Sequence, residues 1–254
     1  MIALKSPAEL AAMRRACQVA AQALKAVVDG VVPGVTTREL DRIAEDQIRA
    51  LGGVPSFLGY RGYPASLCAS VDDEVVHGIP GRRRLREGES VSLDLGAIVD
   101  GFHGDNAVTV PVGEVSEIIA RLLRVGAEAL EAGIQAVRPG AKLGDVGAAI
   151  QRHVERHGFS VVREYAGHGV GRSLHEEPPI PNFGRPGTGI LLQPGMTLAI
   201  EPMVNVGTHE VVTDPDGWTV RTKDGKPSAH FEHTVAVTEH GVEVLTRLPK
   251  PASV

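Results

Sequence analysis

Apolar residues recur every three to four positions in four stretches of the chain, and this spacing predicts four amphipathic helices. The four stretches are residues 10–30, 31–52, 116–136 and 137–158. Ser6, Pro7 and Glu9 predict where the first helix begins, because they fit the N-cap, the first helical position and the capping-box partner. Between the helical stretches, short apolar runs rich in β-branched residues predict strands.

The pattern occurs twice along the chain. Three pairs of segments match: 31–52 with 137–158 at an offset of 106, 85–96 with 191–202 at an offset of 107, and 104–110 with 231–237. Turn glycines coincide between the copies, as Gly34 does with Gly140. The duplication predicts two repeats of the same helix and strand arrangement, spanning approximately residues 10–112 and 116–238.

Each repeat carries two acidic residues within its apolar strand segments. Asp94 corresponds to Glu201, and Asp105 corresponds to Glu232. An acid inside such a strand is rarely buried unless it is paired or bound to a metal. A single acid of this kind would as readily face solvent from a half-exposed strand. Four acids at duplicated positions favour a shared pocket between the halves.

A pseudo-twofold axis between the halves would gather the four carboxylates, and each like-charge pair about 4 Å apart costs on the order of 4 kcal/mol at an effective dielectric of 20. Two divalent ions would cancel the charge, so the sequence predicts a two-metal site. His168 is the predicted fifth ligand, because Gly167 and Gly169 argue against a helix and let the backbone approach the ions. Oxygen donors with one imidazole suit Mn, Fe, Co or Zn.

Composition narrows the class of protein. The 254 residues are 43% hydrophobic and 22% charged, as in ordinary soluble proteins, and the net charge of −5 provides no basic field for nucleic acid. The run of three arginines, Arg82–Arg84, is predicted to be a surface turn. Two cysteines cannot build a disulfide framework, and charged residues interrupt the apolar N-terminal stretch. A cytoplasmic protein that neither enters a membrane nor binds nucleic acid is predicted.

Five residues and their flanking motifs resemble the metal-ligand pattern of the methionine aminopeptidases of the pita-bread fold. They are Asp94, Asp105 in GFHGD, His168 in YAGHGVGRSLH, Glu201 in AIEPM and Glu232 in FEHTVAV. The resemblance covers nearly the whole chain. It implies an α+β fold with two pseudo-twofold-related α/β halves, a curved antiparallel sheet and helices on its outer face, forming a single catalytic domain over residues 1–254.

The resemblance also implies a role for each ligand. Asp94 chelates one ion, His168 and Glu201 belong to the other, and Asp105 and Glu232 bridge the two. Glu201 is the residue expected to accept and return the proton of a water activated by both ions.

Further residues match the family's substrate site. His77 in VVHGIP matches the histidine beside the scissile bond, and His175 matches the histidine that polarises the substrate carbonyl. The wall of the methionine pocket is expected to consist of Tyr60, Tyr63, Cys68, Leu174 and Trp218. The residues Asn106, Leu174 and His230 depart from the family's usual ones, and Leu174 and His230 bear on the shape of that pocket.

The implied function is removal of the initiator methionine from nascent proteins and peptides with a small second residue. Glu201 and Glu232 are only 31 residues apart, too close for the helical insert of type II members, so the chain resembles a bacterial type I enzyme. A monomer is expected, with the nascent-chain N-terminus as partner and with ribosome contact implied by the resemblance alone.

Two other interpretations share the same fold. A proline-directed peptidase such as prolidase has the same ligand set, but usually carries a large N-terminal domain. A metal-free pita-bread scaffold would bind protein or nucleic acid partners, but such proteins typically lose ligand acids. Four further histidines are predicted to be ordinary hydrogen-bonded core or surface residues: His153, His157, His209 and His240.

Overall fold

Four helices form within residues 2–249, the part of the chain that the computed structural model describes, so the first residue and the last five of the predicted 1–254 domain lie outside it. The helices are α1 (Pro7–Asp29), α2 (Thr37–Ala50), α3 (Glu117–Ala136) and α4 (Leu143–Arg156), and a short 3-10 turn spans Tyr60–Gly62. Helix α1 begins as predicted. Ser6 caps the N–H of Glu9, whose carboxylate accepts a hydrogen bond from the Ser6 N–H at 3.0 Å.

Fifteen strands lie between and after the helices in the described residues. They are β1 (Val54–Pro55), β2 (Cys68–Val71), β3 (Glu74–Val76), β4 (Ser90–Val99), β5 (Phe102–Pro111), β6 (Ser160–Val161), β7 (Ala166–Gly169), β8 (Glu176–Pro181), β9 (Thr197–Ile200), β10 (Met203–Asn205), β11 (Val211–Thr213), β12 (Val220–Thr222), β13 (Ser228–His230), β14 (Glu232–Thr238) and β15 (Gly241–Val244). The main sheet has the order β1-β4-β5-β14-β9-β7-β8, with β2 beside β4 and β15 beside β14. The smaller sheets are β13-β10-β6 and β11-β12-β3.

The main sheet is symmetric about its central pair of strands. Strands β2, β4 and β5 follow one another on one side, and β7, β9 and β14 do so on the other. The central strands β5 and β14 are antiparallel, as a twofold relation between the halves requires. Turn contacts repeat as well: the Gly34 N–H donates to the Leu85 carbonyl at 2.7 Å, and the Gly140 N–H donates to that of Leu192 at 2.9 Å. The predicted α+β class, with an antiparallel sheet covered by helices, is confirmed.

Each half has its own apolar core between its helices and the sheet. Leu93 and Leu95 pack on α1 and α2, whereas Leu198 and Ile200 pack on α3 and α4. Because side chains alternate between the two faces of a strand, Asp94 points away from its core. The same alternation turns Glu201, which follows Ile200, away from the helices. The helices therefore cover one face of the sheet, and the acids share the other.

Helix α1 lies so close to β5 that only glycine fits at position 104. A Cβ atom there would lie 2.5 Å from the backbone nitrogen of Cys17 and 2.6 Å from the carbonyl carbon of Ala16. Gly104→Ala is expected to lower the free energy of unfolding by about 1–3 kcal/mol, the usual cost of overpacking a core. Urea unfolding followed by circular dichroism measures it. Gly81→Ala is the control, because its Cβ would meet only the Ile79 carbonyl, at 4.0 Å, and an equal loss in both variants would contradict the steric argument.

Candidate metal centre

The structure brings the four duplicated acids together with one histidine. All five side chains line a single cavity of about 150 Å³ on the sheet face that the helices leave open. They are Asp94 on β4, Asp105 on β5, His168 on β7, Glu201 directly after β9, and Glu232 at the start of β14. The central strands of both halves thus contribute to one site.

Three of the four carboxylates have a buried oxygen that, within residues 2–249, lacks the hydrogen bond a buried charge needs. Asp105 and Glu232 are only 3% and 2% exposed. Among the described residues, no hydrogen-bond partner reaches Oδ1 of Asp94, Oδ1 of Asp105 or Oε1 of Glu232. A buried carboxylate oxygen left unpaired is costly unless it binds a cation or a proton. These orphaned oxygens fit divalent metal ions.

Burial and mutual repulsion raise the pKa values of these acids. For Asp94 the pKa is well above its ordinary value because of burial and then the charge of Asp105. Burial, followed by the charges of neighbouring acids, does the same for Glu201 and Glu232. Burial raises the pKa of Asp105 to about 7. The folded chain without cations therefore favours protonated carboxyls, and bound dications would favour the ionised forms.

His168 presents an unprotonated ring nitrogen to the acids. Its Nδ1 lies 2.9 Å from the carbonyl oxygen of Gly169, which can only accept a hydrogen bond, so the proton is on Nδ1. Its Nε2 lies 3.4 Å from Oε1 of Glu201 and 3.7 Å from Oδ2 of Asp105, which is too far for a normal hydrogen bond. Burial lowers the pKa of His168 to about 3, so the ring is neutral. A neutral imidazole oriented in this way is a typical metal ligand.

The glycines beside His168 have a packing role that sequence reasoning did not give them. The segment is a strand, in keeping with the argument against a helix. A Cβ on Gly167 would lie 2.3 Å from the carbonyl oxygen of Ala199, and one on Gly169 would lie 2.3 Å from that of Glu177. The glycines therefore admit the neighbouring strands β9 and β8.

The two histidines assigned to substrate lie at the same cavity. His175 is exposed at its mouth, where its ring stacks on Tyr60 and the Tyr60 hydroxyl lies 2.8 Å from Nδ1. Its ring centre is 4.2 Å from that of His168. His77 meets the ring of Trp218 edge to face at 6.2 Å, and burial lowers its pKa to about 4. Both histidines are neutral at neutral pH, because partial loss of water around its ring also lowers the pKa of His175, although the residue reaches the surface.

An apolar pocket adjoins the five ligand-type side chains. All predicted wall residues line the cavity: Tyr60, Tyr63, Cys68, Leu174 and Trp218. The Tyr63 and Trp218 rings meet edge to face at 5.0 Å, and the Tyr63 hydroxyl lies near the backbone carbonyls of Leu67 and Gly78. Tyr63 therefore offers the pocket its ring, while its hydroxyl is held by the backbone.

Sequence reasoning missed three residues of this site. Phe57 and Arg61 line the cavity, in a stretch without helical or strand periodicity that could have indicated them. His230 was noted only as a departure from the family pattern. It is 1% exposed, and its Nε2 lies 3.4 Å from Oε2 of Glu201. In the sequence, its position two residues before Glu232 could have indicated it. In the structure, it is the last residue of β13.

Several predictions outside the cavity can be compared with the structure. The run Arg82–Arg84 is exposed, and Arg83 pairs with Glu74 at 3.2 Å. Both cysteines are free. His209 is half-buried, and its Nδ1 atom has no hydrogen-bond partner among the described residues. None of the described helices is long and apolar enough to cross a membrane.

The chain is similar to metallopeptidases over most of its length. The model of Metallopeptidase family M24 matches residues 11–239. Methionine aminopeptidase 1 of Bacillus subtilis is 51% identical, over 98% of this chain and all of the relative, and the methionine aminopeptidase of Escherichia coli K12 is 47% identical, over 96% and 94%. The crystal structure of methionine aminopeptidase from Rickettsia prowazekii superposes with a TM-score of 0.96 at 43% identity, covering 97% of this chain and all of that one.

A more distant structure shows how far the fold extends. Prolidase from Pyrococcus furiosus superposes with a TM-score of 0.77 at 22% identity. The match covers 97% of this chain and only 66% of that one. At this identity the likeness concerns the pita-bread fold alone, which the comparisons confirm for this chain.

Proposed function

The chain belongs to metallopeptidase family M24, and we propose that it removes N-terminal methionine from peptides and nascent proteins with two divalent ions held at the centre of its sheet. Its activity is that of a methionine aminopeptidase, which is the name of relatives 51% and 47% identical over nearly the whole chain. The observation that carries the proposal is the shared cavity, where five ligand-type side chains adjoin an apolar wall.

Five residues would hold the ions: Asp94, Asp105, His168, Glu201 and Glu232. Following the resemblance, we assign Asp94 to one ion, His168 and Glu201 to the other, and the remaining two acids to both. The donor set suits Mn, Fe, Co or Zn. When bound, such a pair of ions polarises a carbonyl group and lowers the pKa of water. Since β4 and β5 belong to one half and β7, β9 and β14 to the other, residues 1–254 would act as a single catalytic domain.

Glu201 is the proposed proton carrier. Its carboxylate lies between His168 and His230. Oε1 is 3.4 Å from Nε2 of His168, and Oε2 is 3.4 Å from Nε2 of His230. A carboxylate at this position can accept a proton from water and return it to the leaving amine. Glu201 would therefore move the proton from water to the new N-terminus.

His175 and His77 are proposed to bind the substrate's peptide group. If the Tyr60 hydroxyl donates to Nδ1 of His175, the imidazole proton lies on Nε2, where it can donate to the substrate carbonyl oxygen. His77 lines the same cavity, beside Trp218. Neutral imidazoles can donate one hydrogen bond each without adding charge to the site.

Tyr60→Phe is expected to lower kcat/KM for a Met-Ala-Ser peptide about two- to tenfold, which is the effect of losing one hydrogen bond. The stacked ring remains, so only the orientation and tautomer of His175 change. Steady-state kinetics measure the effect. Tyr165→Phe serves as control, because it also removes a tyrosine hydroxyl, but from a ring that contacts His77 rather than His175. Equal activity of Tyr60→Phe and wild type would exclude this role of the hydroxyl.

The apolar wall is proposed to select methionine. Aromatic rings and Cys68 surround the space beside the ligands, and a thioether makes favourable contacts with aromatic edges. Phe57 adds a further ring to the wall that sequence reasoning predicted. A small second residue is expected, since the substrate's next side chain must pass His175 at the cavity mouth.

The proposal extends to the setting of the enzyme. A monomeric cytoplasmic enzyme that acts on the nascent-chain N-terminus is proposed, with ribosome contact resting on the family resemblance. Neither nucleic acid nor membrane is a proposed partner, and the net charge of −5 supports the first of these statements.

Cleavage of Met-Gly-Met, compared with an Ala-Pro peptide, tests the function. We expect cleavage of the methionyl peptide, loss of activity on chelation, and recovery when Co, Mn, Fe or Zn is returned. Elemental analysis of the active protein should give two catalytic ions per chain. Preference for the Xaa-Pro peptide would overturn the proposal in favour of a prolidase-type enzyme. A chain that stays metal-free and inactive under all conditions would indicate a binding scaffold.

A further inference from the structure

A second group of metal-ligand side chains lies outside the catalytic cavity, where helices α3 and α4 pack on each other. Glu128 belongs to α3, His153 to the last turn of α4, and His157 caps that helix. The four-residue spacing places both histidines on one helical face, opposite Glu128. One ligand atom from each of the three residues lies within 4.8 Å of the others.

Existing hydrogen bonds prepare these side chains for an ion. The Nδ1 atom of His157 lies 2.8 Å from the carbonyl oxygen of His153, so Nδ1 carries the proton and Nε2 keeps its lone pair. The Nε2 atom of His153 donates to Oε2 of Glu128 at 3.1 Å, so an ion bound there would displace this one proton. Arg124 donates to Oε1 of Glu128 at 3.2 Å, which orients the carboxylate.

The spacing is close to what a tetrahedral ion requires. Ligand atoms about 2.0–2.2 Å from zinc are roughly 3.3–3.6 Å apart, and the His153–Glu128 pair is already near that separation. The two imidazole centres are 4.7 Å apart, so small side-chain rotations suffice. All three side chains are half-buried, which leaves the site open to ions from solvent.

We propose that Glu128, His153 and His157 bind one divalent transition-metal ion of the zinc, nickel or copper type, with water in the remaining position. Two imidazoles and one carboxylate favour these ions over calcium or magnesium. The helices lie on the sheet face opposite the catalytic acids. This ion, called the outer ion because it lies outside the catalytic cavity, would therefore take no part in catalysis. It would link α3 to the C-terminal end of α4.

Counting ions tests the proposal. Wild type and the variants are dialysed against excess Zn²⁺, washed through a desalting column, and assayed for zinc by mass spectrometry. We expect wild type to hold one more ion per chain than His153→Ala or His157→Ala. His240→Ala is the matched control, since it removes an exposed histidine elsewhere and should keep the full count. Turnover of Met-Ala-Ser should be equal in all four proteins.

Cu²⁺ electron paramagnetic resonance gives an independent readout. The outer site offers two imidazole nitrogens, so its two-nitrogen hyperfine pattern should disappear in His157→Ala. Glu128→Gln, which keeps both histidines, should weaken Zn²⁺ binding by more than about tenfold. If His153→Ala fails to fold, His157→Gln and Glu128→Gln still decide the outcome. The same zinc count in wild type and these variants would overturn the proposal, as would an equal loss in His240→Ala.

Discussion

Glu201→Gln is expected to lower turnover of a Met-Ala-Ser peptide by about 10²- to 10⁴-fold, the usual contribution of a general base. Glutamine keeps the size of the side chain and its place between His168 and His230, but an amide cannot accept the proton. The effect should fall on kcat, because the apolar wall that binds the substrate's side chain is unchanged. Steady-state kinetics over a range of peptide concentrations separate the two parameters.

The same substitution removes a proposed metal ligand, so metal content must be measured on the same samples. Saturating metal should restore two catalytic ions to Glu201→Gln without restoring activity. Glu243→Gln is the control, because it neutralises a half-exposed acid that pairs with Arg14 at 2.7 Å on the protein's surface. Its turnover should stay within about twofold of wild type, as expected for an exposed ion pair. Turnover of Glu201→Gln within tenfold of wild type would exclude Glu201 as the base.

The four acids of the cavity could be found in the sequence because the duplication makes each half a check on the other. Asp94 alone is an acid in a strand of unknown exposure. Its match to Glu201 predicts that the two occupy equivalent places, and the apolar neighbours Leu93 and Leu95 predict which sheet face is left for them. Strand alternation and an internal repeat therefore carry most of the information about the site.

The remaining site residues depend on pairings between distant segments. His230 reaches Glu201 because β13 pairs with β10, and Phe57 enters the pocket from an irregular segment. No local pattern specifies such contacts, since they result from packing of the whole fold. The same applies to Gly167, whose missing side chain admits a neighbouring strand that sequence periodicity does not identify.

Removing the metal should make stability depend on pH in a direction fixed by the buried acids. The pKa values of the four carboxyls are raised in the folded chain without cations, and that of Asp105 rises to about 7. Groups of this kind stabilise the fold at low pH, where they are protonated, and the stabilisation is lost as pH rises through the folded-state pKa. Buried His168 and His230 act in the opposite direction, because their pKa values are lowered to about 3, but only below the ordinary histidine pKa near 6.5.

Between pH 6.5 and 8 the acids therefore decide whether the stability of the metal-free protein rises or falls with pH. We expect the Tm of the chelated protein to fall by several degrees over this range, since about 1 kcal/mol shifts Tm by roughly 2–4 °C in a domain of this size. The metal-loaded protein should not show this fall, because the ions require ionised ligands and bind more tightly as pH rises. Asp105→Asn is the control: without metal its Tm should vary less with pH than that of wild type. A chelated wild type whose Tm rises from pH 6.5 to 8 would show that the acids are not held together as buried neutral groups, and the charge argument for two dications would fail with it.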